Sequence, residues 1–170
     1  MDWPAVYLQP NPKQDCQFYA TAYLCRALGH PDVTAEDVMA FRHTPRAVGG
    51  EPGRFLSEAH YPEMVCGLEI DAWWRDRDPH GVQNERWWLG PSQRGWVESM
   101  LADGWLGRID VMRVQHMAHA CVLLESRGDV GALIFDPHAG LVIESWQWLL
   151  AGGPGRDCHR IEAWYRRKEA

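Results

Sequence analysis

The sequence predicts an α+β domain, with helices in its N-terminal half and an antiparallel sheet in its C-terminal half. Residues 15–43 carry two stretches with helical spacing and helix-end signals. Residues 105–165 carry short apolar runs divided by Gly- and Asp-containing turns, the pattern of hairpin-linked strands. At 170 residues, 46% hydrophobic and 24% charged, the chain holds enough apolar mass for one full core, so residues 1–170 are read as a single domain.

Residues 3–9 read as a short strand or extended lead-in, followed by the loop Pro10-Asn11-Pro12-Lys13-Gln14. Asp15 stands where a helix N-cap is expected. From Cys16 on, Phe18, Ala22, Leu24, Cys25 and Leu28 supply a sheltered face, and Gly29 is a natural C-terminal stop. Thr34-Ala35-Glu36-Asp37 has the form of a capping box and starts a second helix running to about His43. Residues 44–92 form a variable helix and loop subregion. It contains the loop Gly49-Gly50-Glu51-Pro52-Gly53 and two short helices, near 55–58 and 63–67.

Regular structure returns with Ser92 as N-cap of a helix through Ala102, ended by Asp103-Gly104. A strand follows over residues 105–114. The more buried run His119-Ala120-Cys121-Val122-Leu123-Leu124 is the next one. Arg127-Gly128-Asp129 turns the chain into a return strand over 130–135, and His138-Ala139-Gly140 turns it again into Leu141-Val142-Ile143. Ser145 caps a short helix from Trp146 to Leu150, Gly152-Gly153-Pro154 ends it, and residues 159–165 form the last strand.

A formal net charge of −6 without a basic stripe argues against a nucleic-acid partner, and Arg166-Arg167-Lys168 is too short to change that. Five cysteines (Cys16, Cys25, Cys66, Cys121 and Cys158) form no paired framework. The start Met1-Asp2-Trp3-Pro4 lacks a signal peptide's basic and apolar regions, and no apolar run approaches a membrane span. A cytoplasmic location with free thiols is therefore expected; export by a specialised route without a cleavable signal is the alternative. No phosphate-cradling Gly-rich loop or dinucleotide fingerprint occurs, so no cofactor is expected. His116 and His119 lie three apart, near Cys121, Asp136, His138, Cys158 and His159, but no CxxC or HExxH spacing is present, and no metal is expected.

Ten tryptophans exceed the usual share, and core packing accounts for most of them. The doublets Trp73-Trp74 and Trp87-Trp88 lie in polar surroundings and read as candidate walls of a groove for peptide or sugar.

The chemistry-bearing set is Cys16, His119 and Asp136. A cysteine at a helix N-terminus meets unpaired backbone N–H groups and the positive end of the helix dipole, which favour a thiolate, the nucleophilic form. An imidazole beside it takes and returns the proton, and a carboxylate fixes the imidazole's tautomer. His119 opens one strand and Asp136 closes the next, so a tight hairpin brings the two together. Singly, each residue has a plainer reading: a small buried hydrophobe, a core histidine, a turn former before Pro137. Their order and placement favour catalysis.

These residues resemble the C39-like family of papain-fold cysteine peptidases. Gln9…Asp15-Cys16…Ala20…Ala22…Leu24 with Leu28-Gly29 is similar to that family's nucleophile helix. So are Trp96…Met100-Leu101-Ala102-Asp103-Gly104, His119-Ala120-Cys121-Val122-Leu123-Leu124, Leu133-Ile134-Phe135-Asp136-Pro137, and Gly140…Ile143-Glu144-Ser145…Trp148-Leu149. The resemblance covers both ends of the chain and leaves out roughly residues 44–92. It implies a papain-like fold, Cys16 as nucleophile, His119 as general base and acid, and Asp136 as its orienting partner. It also implies an upstream glutamine in the oxyanion hole: Gln9, preferred over Gln14, which lies too close to the thiol along the chain. The family has glycine after the cysteine, whereas this chain has Gln17, a larger group placed to alter substrate choice. The implied activity is cleavage of a peptide or amide bond in a peptide or protein substrate, through an acyl-thioenzyme. Protein-glutamine deamidation or transamidation, a papain-like toxin or effector role, and a catalytically inactive peptide-binding module of the same fold are the alternatives.

Overall fold

A computed structural model describes residues 2–6, 8, 15–42, 57–75, 85–113, 116–151 and 158–169, with the backbone alone at 113 and 116–118. Its helices are α1 (Cys16–Ala27), α2 (Ala35–Arg42), α3 (Tyr61–Met64), α4 (Arg94–Ala102) and α5 (Trp146–Leu149). Its strands are β1 (Glu69–Ala72), β2 (Leu106–Arg113), β3 (His116–Ser126), β4 (Ala132–Asp136), β5 (Gly140–Glu144) and β6 (Cys158–Arg166). They form one sheet in the order β1-β6-β2-β3-β4-β5, antiparallel throughout.

The sheet is covered on both faces, which explains why its central strands read as continuous apolar runs. Ala120, Val122 and Leu124 of β3, with Leu133 and Phe135 of β4, pack toward α1. The intervening Cys121, Leu123, Ala132 and Ile134 pack with Val97 of α4 and a tryptophan-rich layer. In that layer Trp87, Trp96 and Trp164 form a chain of edge-to-face contacts at 5.6 and 5.7 Å, a favoured aromatic geometry. Gly107 of β2 belongs to the same packing: a Cβ there would stand 2.9 Å from the Trp164 ring.

α1 is buried almost all round because it serves two cores. Cys16, Ala20, Tyr23 and Leu24, spaced for one helical stripe, face the sheet. Phe18, Tyr19, Ala22 and Cys25 form a second stripe against Val38 and Phe41 of α2. Tyr23 stacks on Phe135 at 3.9 Å and donates its hydroxyl to the Pro4 carbonyl at 2.9 Å, tying the N-terminal segment to the helix.

A buried ionic cluster fastens the same helix from below. Arg108 of β2 donates to Glu58 at 2.8 Å, to Asp110 at 3.2 Å and to Thr21 of α1 at 3.4 Å. Arg160 of β6 pairs with Asp110 at 3.0 Å and with Glu162 at 3.1 Å. Burial, with Asp110 beside it, pushes the Glu162 carboxyl up to about 8.

Most end signals act as expected. Thr34 and Asp37 close the capping box reciprocally at 3.1 and 3.0 Å, and the Ser145 hydroxyl accepts from the Trp148 N–H at 3.1 Å. α1 ends before Gly29, whose φ of +101° suits a residue without a Cβ. Two expectations hold in part and two need correction. Asp15 occupies the N-cap position, yet its side chain makes no capping bond; its carbonyl accepts from Phe18 and Tyr19 instead. The lead-in forms no strand over its described residues 2–6 and 8. A 3-10 turn over Pro91–Gln93 precedes α4, displacing Ser92 from the cap. β3 begins three residues before His119, at His116. The loop at 49–53, the end of the second helix at His43, and the helix start at residue 55 lie outside the described residues.

Candidate active site

α1 begins at Cys16, so its sulfur sits beside the helix's first turn, where the leading N–H groups have no intrahelical acceptor. The residue is buried, 8% exposed, against the sheet. β3 and β4 are adjacent antiparallel strands, and this pairing delivers His119 and Asp136 to one end of the sheet. There His119 Nε2 lies 2.8 Å from Asp136 Oδ1.

Cys16 and Cys121 also act on the His119 ring, each favouring its charged form. Burial disfavours charge on the imidazole, but Asp136, Cys121 and Cys16 together outweigh it and carry the ring up to about 12, which favours the imidazolium form. On Asp136, desolvation opposes charge and is outweighed by the bonds from His119 and from the His138 backbone, holding the carboxyl below its ordinary range. The His138 N–H donates to the same Oδ1 at 2.8 Å. One carboxylate oxygen is thus pinned between a ring nitrogen and a backbone donor.

Cys16 and Asp136, 103 residues before and 17 residues after His119 by their numbering, both act on its ring. An imidazole acted on by a thiol and a carboxylate is the arrangement from which sulfur can pass its proton to the ring and attack a carbonyl. Cys16 Sγ also lies 3.5 Å from Gln17 Oε1, and Gln17 is itself buried. Gln9 and Gln14 lie outside the described residues.

The tryptophans divide. Trp87 is fully buried in the α4-side core, which corrects its assignment to a groove wall: its ring has no surface to offer. Trp73 and Trp88 flank the Arg160 guanidinium at 5.3 and 5.5 Å, and Trp73 donates its indole N–H to Glu162 at 3.0 Å. Trp74 packs edge-on to Trp73 and tilts against His60 at 4.9 Å. Arg160 pairs with Asp110 of β2, and Asp110 with Ala120 of β3, so the Trp73–Arg160–Trp88 stack stands two strands from the neighbour of His119, about 10 Å away at ordinary strand spacing.

Two neighbours of the site carried no functional assignment in the sequence reading. Cys121, two residues beyond His119, shares its side of the strand, a relation readable from the period of two. His138 stacks on His119 with ring centroids 4.4 Å apart and an interplanar angle of 30°. His119, Asp136 and His138 bring potential ligand atoms within 4.8 Å of one another, the donor set that could hold a metal among the described residues.

No family model and no curated protein matches this sequence. Among solved structures, the peptidase domain of Streptococcus ComA, a bi-functional ABC transporter involved in a quorum-sensing pathway, is similar over 98% of this chain and 100% of that one. Sequence identity is 10% and the TM-score 0.61. A double-glycine-motif protease from an AMS/PCAT transporter, in complex with the leader peptide, is similar over 93% of this chain and 90% of that one, with 17% identity and a TM-score of 0.49. No helix among the described residues is long and apolar enough to cross a membrane. Similarity over the whole ComA domain at a TM-score of 0.61, with helices on a six-stranded antiparallel sheet, gives this chain the α+β fold of that peptidase domain.

Proposed function

We propose that this protein is a cysteine hydrolase of peptidase type that cleaves a peptide or amide bond in a peptide or protein substrate. The observation that carries the reading is the His119 ring held by Asp136 at 2.8 Å, with Cys16 at the start of α1 acting on the same ring. Cys16 is the nucleophile. The His119 imidazolium steadies the thiolate and then protonates the leaving amine, and Asp136 holds the ring in position. The tetrahedral oxyanion falls near the open N–H groups of the first turn of α1, where the helix dipole favours negative charge. Gln9 is the side-chain donor proposed to complete that hole, with Gln14 as the lesser candidate. Water hydrolyses the acyl-thioenzyme with His119 now acting as base.

A peptidase domain with the same fold in ComA supports a peptide substrate. Trp73, Trp74 and Trp88 are proposed as the rim that receives it, with Arg160 held between the first and last of them as a cationic contact. Gln17 is the feature that favours a second reading. Its amide fills the place next to the thiol, and the same acyl-enzyme chemistry on a glutamine side chain would release ammonia instead of an amine.

A peptide-library profile read by mass spectrometry, comparing the wild type with Cys16→Ala, tests both. Two shorter fragments whose masses sum to the substrate plus water indicate hydrolysis. An intact chain with an amide nitrogen exchanged for oxygen indicates deamidation. Turnover that persists in Cys16→Ala at unchanged thermal stability would show the nucleophile to be misassigned.

A further inference from the structure

We propose that His119, Asp136 and His138 form an inhibitory binding site for a divalent transition-metal ion of the Zn2+ class, and that the bound ion disables the catalytic base. The inhibitory part rests on the proposed role of His119; the binding part does not. Two imidazoles and a carboxylate make the borderline-soft N2O donor set that suits Zn2+, Ni2+ or Cu2+ and suits Mg2+ or Ca2+ poorly. Their ligand atoms already lie within 4.8 Å of one another. A tetrahedral ion with bonds of 2.0–2.1 Å brings its ligands to about 3.3 Å apart, so the required closure is small.

The residue that must move is the one free to do so. His138 sits on the exposed turn between β4 and β5, while His119 and Asp136 are held by the sheet and by each other. The stacked rings, 4.4 Å apart, already set the two imidazoles side by side next to the carboxylate. The open side of His138 leaves coordination positions for water and a path for the ion to enter.

Coordination at His119 Nε2 replaces the hydrogen that Nε2 shares with Asp136. The N–H bond breaks, the metal–nitrogen bond forms from the same lone pair, and the proton leaves to bulk water. The remaining ring proton then resides on Nδ1. With both nitrogens engaged, the ring has no lone pair to accept a proton from water in deacylation. The enzyme would be held inactive until the ion is withdrawn.

Calorimetric titration of the metal-free protein with Zn2+ tests this in a Cys16→Ala background, which removes the thiol as a ligand. The expected result is a site retained in Cys16→Ala and weakened at least tenfold when His138→Ala is added. His138→Asn serves as a second variant that keeps the turn polar. A site lost in Cys16→Ala alone, or unchanged by both His138 substitutions, overturns the proposal, because the ion would then be held by the thiol and imidazole without His138. With active wild type, Zn2+ should stop turnover, a chelator should restore it, and His138→Ala should raise the inhibiting concentration at least tenfold. Absence of any hydrolytic turnover would refute the proposed function while leaving the calorimetric result to decide the site.

Discussion

Replacing His159 by phenylalanine should flatten the acid limb of this protein's stability. His159 lies on β6 opposite Val111 of β2, which in turn pairs with His119 of β3, so it belongs to the same end of the sheet as the candidate site. It is 4% exposed and packs on Trp148 at 4.0 Å. Burial pushes its imidazole down to about 4, with the Leu149 backbone giving only partial compensation. Folding therefore favours the neutral ring. Above about pH 6.5 the ring is neutral whether the chain is folded or not, and the full stability is present. As pH falls from there toward 4, the unfolded chain takes up a proton that the folded one refuses. At 1.36 kcal/mol per pH unit this costs about 2.5 kcal/mol by pH 4.5. Urea unfolding at pH 7.5 and pH 4.5 reads the effect directly. With a slope of roughly 2 kcal/mol per molar urea, the wild type should lose about 1 M of midpoint more than His159→Phe over that interval. Phenylalanine is somewhat bulkier and shifts both midpoints together, so only the difference in pH dependence counts. Equal losses in the two proteins would refute the argument, because they would mean the imidazole is charged or hydrated in the folded state.

Asp136→Asn should be much milder than Asp136→Ala. The His138 N–H aimed at Oδ1 selects the amide oxygen for that position, so asparagine still offers His119 an acceptor. Loss on the order of a hundredfold in kcat/KM is expected for alanine, about 3 kcal/mol of transition-state stabilisation, and about tenfold or less for asparagine, which keeps an acceptor for the ring. Equal losses would show that the negative charge, not ring orientation, is what Asp136 supplies. Glu58→Ala removes one of the carboxylates paired with the buried Arg108 and should cost about 3 kcal/mol in urea unfolding. A change below about 1 kcal/mol would mean that water or a rearranged carboxylate replaces Glu58 at little cost.

The parts of this protein legible from its sequence are the locally encoded ones. Thr34 and Asp37, Ser145, and Gly29 mark helix ends because caps and positive φ are satisfied within a few residues of chain. The apolar runs of β3 and β4 announce strands covered on both faces. Cys16, His119 and Asp136 could be singled out because the signals of a helix start and of a single hairpin are local. That reasoning could not extend to β1. Its Glu-Ile-Asp-Ala segment has no apolar signature, and it becomes a strand only where β6 offers a free edge and Arg166 reaches Glu69 at 3.0 Å.

The same division applies around the site. Trp87 and Trp88 are neighbours in sequence, yet one fills the core and the other stands over Arg160, a difference set by what packs against each ring. Arg108 reads as a polar strand residue and is in fact enclosed, because Glu58, fifty residues earlier, arrives to pair with it. His138 reads as a turn residue, and only the antiparallel return of β4 and β5 lays its ring on His119. The sequence by itself determined an α+β chain with a cysteine at a helix mouth, because those properties depend on neighbours along the backbone. Which imidazole, carboxylate and cation stand together was decided by the tertiary structure, because those energies exist only once distant segments are in contact.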